Sequence, residues 1–165
     1  MRRDRRDQEF ETFYQADAGR LHRLALLLTG EPERAADLAQ ESLLKAYASW
    51  HRIRGDDPGP YVRRILVNQF RNSARRSALE RLRAPRTADV EPERTGSVDD
   101  SLAVRALLDN LSPIRRATVV LRYYEDLPEA EIARTLDRPL GTVKSDLHRA
   151  LTALRPLAEA YRGES

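Results

Sequence analysis

Apolar residues recur at helical spacing along most of this 165-residue chain, and no run alternates in the way a strand does. The periodicity predicts one helix ending near Thr29-Gly30, a second starting at Pro32 and a third opened by Pro60. It fails only over residues 83–98, which hold two prolines, a glycine and many charges. We therefore predict an all-α fold in which two small helical domains are joined by a flexible linker.

The boundaries predicted from this pattern are residues 1–82 for the first domain, 83–98 for the linker and 99–165 for the second domain. Near the carboxyl end, a short helix from Leu127 to Leu136, a turn at residues 137–140 and a helix from Gly141 to about Ala160 follow one another. This order is typical of a DNA-binding helix-turn-helix, although an ordinary helical hairpin has the same spacing. In the last helix, Val143, Leu147, Leu151 and Leu154 are expected to face inward.

Charge is distributed unevenly along the chain. Residues 61–86 carry eight basic groups and one acidic group, whereas residues 87–110 carry two basic and six acidic groups, within a net charge of +3. Such a concentration of positive charge on one predicted helix favours a polyanionic partner, with a merely solvated helix face as the alternative.

Enzymatic chemistry finds little support in the sequence. The chain has no cysteine, and its three histidines, His22, His51 and His148, lie in three different elements. Asp56-Asp57 could bind a cation but is more simply part of a turn, and none of the seven glycines forms a phosphate loop. We expect no catalytic residue, metal, cofactor or small-molecule substrate.

Targeting signals are also absent from the pattern. The longest apolar run, Leu24 to Leu28, is far shorter than the roughly 20 residues of a membrane-spanning helix. The basic start is not followed by an apolar signal core. We expect a cytoplasmic protein without membrane insertion.

Several segments together resemble one family. Residues 37–47, DLAQESLLKAY, resemble the second helix of bacterial sigma-70-type factors of the extracytoplasmic-function (ECF) group. The segments LSPIRR from 111, LRYY from 121, EIA from 131 and GTVKS from 141 are similar to the carboxyl-terminal domain of that group in order and spacing. The segment YVRRILVN from 61 is most similar to the actinobacterial SigE-like branch.

This resemblance implies a subunit of RNA polymerase with two domains, sigma region 2 and sigma region 4. Region 2 would open and recognise the −10 element, and region 4 would read the −35 element through its helix-turn-helix. The implied partners are core RNA polymerase, through the clamp coiled coil of its largest subunit and its flap, and promoter DNA. An anti-sigma factor is a further candidate. The acidic linker is either a solvated tether or, as in related factors, a segment that occupies the RNA path before a transcript fills it.

The resemblance also assigns roles to residues. The polymerase-binding residues are polar and fall on one face of the second helix at i, i+3, i+4 and i+8, where a solvated face is the alternative: Asp37, Gln40, Glu41 and Lys45. The residues for the −10 region combine phosphate-binding arginines with groups that can hold an unstacked base: Tyr61, Arg63, Arg64, Asn68, Arg71, Arg75 and Arg76. Core packing remains an alternative for Tyr61, and a surface or capping amide for Asn68.

The residues for the −35 region lie on the outward side of the last helix: Thr142, Lys144, Ser145, His148 and Arg149. Arg149 suits a bidentate contact to guanine. The family usually has arginine directly after the serine, whereas this chain has Asp146. Asp146 could accept a hydrogen bond from cytosine, pair with Arg149 or Arg138, or weaken DNA binding, and the sequence does not decide among these.

Two other functions are compatible with parts of the sequence. One is a stand-alone helix-turn-helix regulator with an amino-terminal sensor or dimerisation module, which would bind duplex DNA tightly by itself. The other is a helical adaptor without DNA binding, which would show little salt dependence with DNA.

Overall fold

A computed structural model of the protein describes residues 2–83 and 100–163, and these residues contain helices and no strand. The first half comprises α1 (Arg2–Thr29), α2 (Pro32–Ala48), a 3₁₀ turn (Trp50–Arg52) and α3 (Gly59–Arg83). The second half comprises α4 (Asp100–Leu108), α5 (Pro113–Tyr123), α6 (Glu129–Leu136) and α7 (Leu140–Gly163). The all-α prediction is confirmed, and the predicted linker lies almost entirely outside the described residues.

The helix ends follow local chemistry. α1 ends before Gly30, whose φ of +74° places it in the left-handed region that favours glycine, and its N–H donates to the Leu26 carbonyl at 2.8 Å. Pro32 then occupies the first turn of α2, where no backbone N–H is needed. α1 begins at Arg2, and Tyr47 of α2 binds its amino-terminal part: Arg6 Nη2 donates to the Tyr47 hydroxyl, which donates to Asp7 Oδ1.

The turn between α6 and α7 is closed by backbone hydrogen bonds. Asp137 adopts a left-handed conformation with φ of 50°, and the Arg138 N–H donates to the Ala133 carbonyl at 2.9 Å. This pairing is the Schellman arrangement that commonly ends a helix. It sets the direction in which α7 leaves the turn and so completes the predicted helix-turn-helix.

The last helix differs from expectation at one position. Leu151, expected to face inward, is 40% exposed, while Val143, Leu147 and Ala150 are buried. At 100° per residue, Leu151 lies about 80° away from Val143 around the helix, whereas Ala150 lies within about 20° of it. The buried stripe of α7 therefore runs through Ala150, and the inward assignment of Leu151 was wrong.

The two halves pack against each other. α5 contacts α1 and α3, and α6 contacts α3. Buried apolar residues from both halves, including Leu24 and Leu66 on one side and Leu121 and Ile132 on the other, form one continuous cluster. The position of α3 between the amino-terminal bundle and the helix-turn-helix decides which of its side chains solvent can reach.

Candidate polymerase and DNA interfaces

One face of α2 is polar and open to solvent. Asp37, Gln40, Glu41 and Lys45 are all exposed, while Leu38 and Leu43 on the opposite side are buried. The Lys45 ammonium lies 3.4 Å from the Glu41 carboxylate. The four predicted residues thus form one accessible surface, as their spacing indicates.

Neighbouring side chains shift the pKa of Glu41, the carboxylate at the centre of this surface. The side chain of Gln69 in α3 is the largest influence that lowers the pKa of Glu41, and Lys45 and Arg76 act in the same direction against a smaller effect of burial. Glu41 is therefore held as an anion and can accept hydrogen bonds from a partner.

An apolar groove lies beside this polar face, and the sequence analysis missed it. The groove has a volume of about 770 Å³ and runs between α1 and α2. Its wall includes Phe10, Tyr14 and Tyr47, and Leu44, whose side chain is 62% exposed, stands at its edge. An apolar residue exposed in the middle of a polar helical face is the signal that could have revealed it.

The predicted −10 residues of α3 are of two kinds. Arg64, Asn68, Arg75 and Arg76 are exposed, whereas Tyr61, Arg63 and Arg71 are partly buried. The Tyr61 hydroxyl donates to Ser49 Oγ at 3.1 Å. This bond connects the start of α3 to the end of α2.

The loop that precedes α3 supplies a side-chain cap for the start of that helix. The Gly59 N–H donates to Asp57 Oδ1 at 2.9 Å. Asp57 thus satisfies a free N–H at the start of the helix, in agreement with its interpretation as a turn residue. Within the described residues, no three histidine or acidic side chains are grouped so that they could hold a metal ion.

Arg63 is bound by two carboxylates of the second half. Its Nη1 lies 3.0 Å from Glu125 Oε2, and its Nη2 lies 2.9 Å from Glu131 Oε1. Glu125 also accepts hydrogen bonds from Nε and Nη2 of Arg20 in α1, at 3.3 and 3.2 Å. The side chains of Glu125 and Arg63 are only 3% and 11% exposed, so this pair is largely shielded from water.

Arg71 is also held by the second half. Its Nη1 donates to the Leu136 carbonyl at the end of α6, where helical carbonyls lack partners within the helix. Burial lowers the pKa of Arg71, and the nearby charges of Arg75 and Arg138 act in the same direction. Two of the seven candidate −10 residues, Arg63 and Arg71, are therefore engaged by the second half.

The predicted −35 surface of α7 is open. Lys144, Ser145, His148 and Arg149 are exposed, and Thr142 is partly exposed. The Ser145 hydroxyl donates to the Gly141 carbonyl at 3.0 Å, and Lys144 lies 4.0 Å from Glu129 of α6. Every predicted reading residue thus reaches solvent on the same side of the helix-turn-helix.

Asp146 lies on the other side of α7. Its side chain is 8% exposed, and its carboxylate lies 3.4 Å from Arg138 Nη2 and 3.8 Å from Arg115 Nε. Of the alternatives left by the sequence, the structure supports pairing with Arg138. Its burial is not compatible with acceptance of a hydrogen bond from a cytosine.

Comparison with known proteins agrees with this organisation. The family model Sigma-70 region 2 matches residues 13–80, and the model Sigma-70, region 4 matches residues 101–154. The chain is 36% identical to the RNA polymerase sigma-E factor of Streptomyces avermitilis, over 92% of this chain and 86% of that protein. It is 32% identical to the ECF RNA polymerase sigma factor SigL of Mycobacterium tuberculosis, over 86% and 84%.

Solved structures share the fold. The sigma factor RpoE of Bartonella quintana, in complex with the anti-sigma factor NepR, superposes with a TM-score of 0.75 at 24% identity, covering 92% of this chain and 98% of that chain. CnrH, in complex with the cytosolic domain of CnrY, gives a TM-score of 0.65 at 20% identity, covering 92% and 88%. In residues 2–83 and 100–163, no helix has both the length and the apolar character to cross a membrane.

The two family models together cover most of the chain in the expected order, and the sequence relatives cover nearly all of it. The chain therefore belongs to the sigma-70 family, as a member of the extracytoplasmic-function group in its SigE-like branch.

Proposed function

We propose that this sigma factor divides its contacts between its two halves, with core polymerase and the −10 element bound by the first and the −35 element read by the second. As an ECF sigma factor, the protein directs promoter-specific transcription initiation. The proposed boundaries are residues 1–82 for region 2, 83–98 for the linker and 99–165 for region 4. The matches over residues 13–80 and 101–154 support this division.

The exposed polar face of α2 is proposed to bind the clamp of the polymerase. Asp37, Gln40, Glu41 and Lys45 offer both charge signs and amide groups on one surface, and Leu44 adds an apolar contact at its edge. A polar rim beside an exposed apolar groove is the usual composition of a protein interface. The open face of α2 is the observation that carries the polymerase assignment.

The two DNA contacts are proposed to differ in kind. Arg64, Arg75 and Arg76 would bind phosphates of the −10 region, with Tyr61 and Asn68 placed near an unstacked base. On α7, Arg149 would read a guanine, while Lys144 and Ser145 contact the backbone and neighbouring base edges. Arg63 and Arg71 reach DNA only if the two halves separate, since both are engaged by the second half.

The remaining assignments follow from the family. Sigma factors are normally not enzymes, and we propose that the active site served by this chain lies in the polymerase. We also propose that the protein works in the cytoplasm and that an anti-sigma factor is among its partners, as in the RpoE–NepR complex. A stand-alone regulator is not favoured, because region 2 accounts for the amino-terminal half.

Reconstituted transcription tests the proposal. Core polymerase, a genomic promoter library and the purified chain should give initiation at defined sites. Glu41→Arg should abolish this activity without unfolding the chain, because it places a cation at the centre of the α2 face. Glu159→Arg, the same change at an exposed position of α7, serves as the control and should retain activity. Equal activity of both variants would contradict the assignment of α2.

A further inference from the structure

The first turns of α1 lie outside the segment that the family model matches. The Sigma-70 region 2 match begins at residue 13, whereas α1 begins at Arg2. Residues 2–12, which we call the arm, continue the same helix. Arg6 and Phe10 of the arm share a helix face with Phe13, because the three residues fall at i, i+4 and i+7. One face of the arm thus carries the side chains that contact α2 and the turn after it.

One hydroxyl group connects the arm to α2. Arg6 Nη2 donates to the Tyr47 hydroxyl at 2.9 Å, and that hydroxyl donates to Asp7 Oδ1 at 2.7 Å. The Arg6 guanidinium also lies over the Tyr47 ring, with its carbon 4.5 Å from the ring centroid. Hydrogen bonds to charged groups are stronger than those between neutral groups. Tyr47 thus binds a cation and an anion of the arm through one oxygen, and we call this pair of hydrogen bonds the Tyr47 bridge.

Aromatic rings continue this contact from Tyr47 to the 3₁₀ turn. The Phe10 centroid lies 5.0 Å from that of Tyr47 and 5.1 Å from that of Trp50, and the Phe10 and Trp50 rings are nearly perpendicular, at 87°. The Phe13 centroid lies 5.4 Å from that of Trp50. Edge-to-face ring pairs are favourable beyond the apolar area that they bury. Trp50, only 8% exposed, is therefore packed against α1 at the start of the turn.

The turn at Trp50 begins the loop that leads to the candidate −10 residues. The Trp50 carbonyl accepts a hydrogen bond from the Ile53 N–H at 3.1 Å. Ser49, the residue before Trp50, accepts one from the Tyr61 hydroxyl. Residues 54–57 of the loop are exposed, so the interior of the protein does not hold their side chains. The geometry of the loop therefore depends on its two ends, one of which is the Trp50 turn.

We propose that Tyr47 is a positioning residue for recognition of the −10 element. Its hydroxyl and ring keep the arm packed on Trp50, and the packed turn keeps the loop and Tyr61 in the geometry that accepts an unstacked base. Tyr47 itself contacts no DNA in this arrangement and acts through Phe10 and Trp50. The inference rests on the proposed function, because it takes Tyr61 and the loop as part of the −10 surface.

Release of the arm is expected to weaken base recognition more than phosphate binding. A loop held in its binding geometry before DNA arrives avoids the cost of being ordered on binding. If the released loop has that geometry in about one molecule in five, the apparent affinity for the −10 sequence falls about fivefold. Arg64, Arg75 and Arg76 lie on α3 itself and remain exposed to phosphates whatever the loop does.

Two variants break the Tyr47 bridge from opposite sides. Tyr47→Phe removes the shared hydroxyl and keeps the ring, and Asp7→Ala removes its acceptor in the arm. Glu9→Ala is the matched control, because it also removes one negative charge from the arm, at a residue that pairs with Arg5 of the same helix at 2.9 Å. Alanine is favourable in a helix at both positions. Any general electrostatic gain in DNA binding is therefore shared by Asp7→Ala and Glu9→Ala.

Fluorescence measures release of the arm in the full chain, because Trp50 is the only tryptophan. Quenching of this fluorescence by acrylamide should increase in Tyr47→Phe and Asp7→Ala and should keep its wild-type value in Glu9→Ala.

Recognition is measured with the holoenzyme and two labelled single strands. One strand carries the nontemplate −10 sequence of a promoter found by reconstituted transcription, and the other carries a scrambled sequence of the same composition. Both bridge variants should lose about fivefold in affinity for the −10 strand and little for the scrambled strand, while Glu9→Ala should keep the wild-type ratio of the two affinities.

Unchanged quenching in both bridge variants would overturn the inference, since the bridge would then not hold the turn. Increased quenching with an unchanged preference for the −10 strand would contradict the positioning role. Equal losses for both strands would also contradict it, because they would reduce Tyr47 to a residue of general stability. Failure of the proposed function is recognised separately: wild-type holoenzyme would then show no preference for the −10 strand, and the inference would fall with it.

Discussion

The two basic surfaces of the molecule, on α3 and on α7, differ in accessibility. α7 presents Lys144, Ser145, His148 and Arg149 to solvent, whereas α3 has Arg63 and Arg71 bound by the opposite half. A basic helix is therefore not by itself an available DNA surface. Its arginines are available to DNA only where no acidic group or helix carbonyl elsewhere in the chain accepts hydrogen bonds from the same N–H donors.

The largest effect is expected on the open surface. Arg149→Ala should weaken binding of duplex promoter DNA by about 1–3 kcal/mol, because it removes a bidentate contact to guanine. The loss should be similar for the free chain and for the holoenzyme, since α7 is open in the closed state. Fluorescence anisotropy with a −35 duplex measures it, and Arg155→Ala, an exposed arginine beyond the reading face, is the control. A loss confined to the holoenzyme would contradict the open state of α7.

A comparable effect, on stability rather than on DNA binding, is expected behind the reading face. Asp146→Ala should lower the free energy of unfolding by about 2 kcal/mol, because it leaves Arg115 and Arg138 without their shared carboxylate. We expect a smaller loss of stability than for a fully buried ion pair, because both arginines are partly exposed. Urea unfolding measures this difference. Asp146→Arg, which restores the usual family residue, should also destabilise the chain, and tighter DNA binding at unchanged stability would contradict the pairing.

The junction between the halves can be tested with two glycines. Gly30 and Gly55 both have positive φ, so alanine at either position introduces backbone strain. Only at Gly30 would the new Cβ approach the second half, at 3.1 Å from Asp109 Oδ1 and 3.2 Å from Arg116 Nη2. Gly30→Ala should therefore destabilise the chain by about 1 kcal/mol more than Gly55→Ala. Equal melting temperatures of the two variants would indicate that the halves do not pack at this junction.

The smallest effect concerns pH and the α2 face. The folded pKa of Glu41 lies below its ordinary value of 4.5, so its stabilising contribution is present above that value and is lost as pH falls through the lowered pKa. Since the side chain is 58% exposed, Glu41→Gln should reduce stability by less than about 1 kcal/mol at neutral pH. Thermal melts of both proteins should converge in acid. A difference that grows on acidification would contradict the lowered pKa.

Much of the fold could be predicted from helical spacing. Proline residues mark the starts of α2, α3 and α5. The intervals between Asp37, Gln40, Glu41 and Lys45 place these residues on one face of α2. Asp146 could also have been placed, because it falls about 60° from the buried Val143 around α7, on the inward side. The spacing alone does not decide the role of Asp146, because its partners lie outside the helix.

The closed arrangement could not be predicted in this way. Arg63 and Glu125 are 62 positions apart, and neither lies at a spacing that marks the other as a partner. Their contact depends on how the two halves pack, which is a property of the assembled surfaces. The sequence identifies Arg63 as a cation able to bind phosphate. Only the structure shows the carboxylates that bind it.

The central claim is that the halves are closed in the free chain and separate on the polymerase. Because the chain has no native cysteine, Gln15→Cys in α1 and Glu159→Cys in α7 allow specific labelling for distance measurement by energy transfer. The account predicts one distance between the two labels in the free protein and a longer one after addition of core polymerase. The same distance in both states would contradict it.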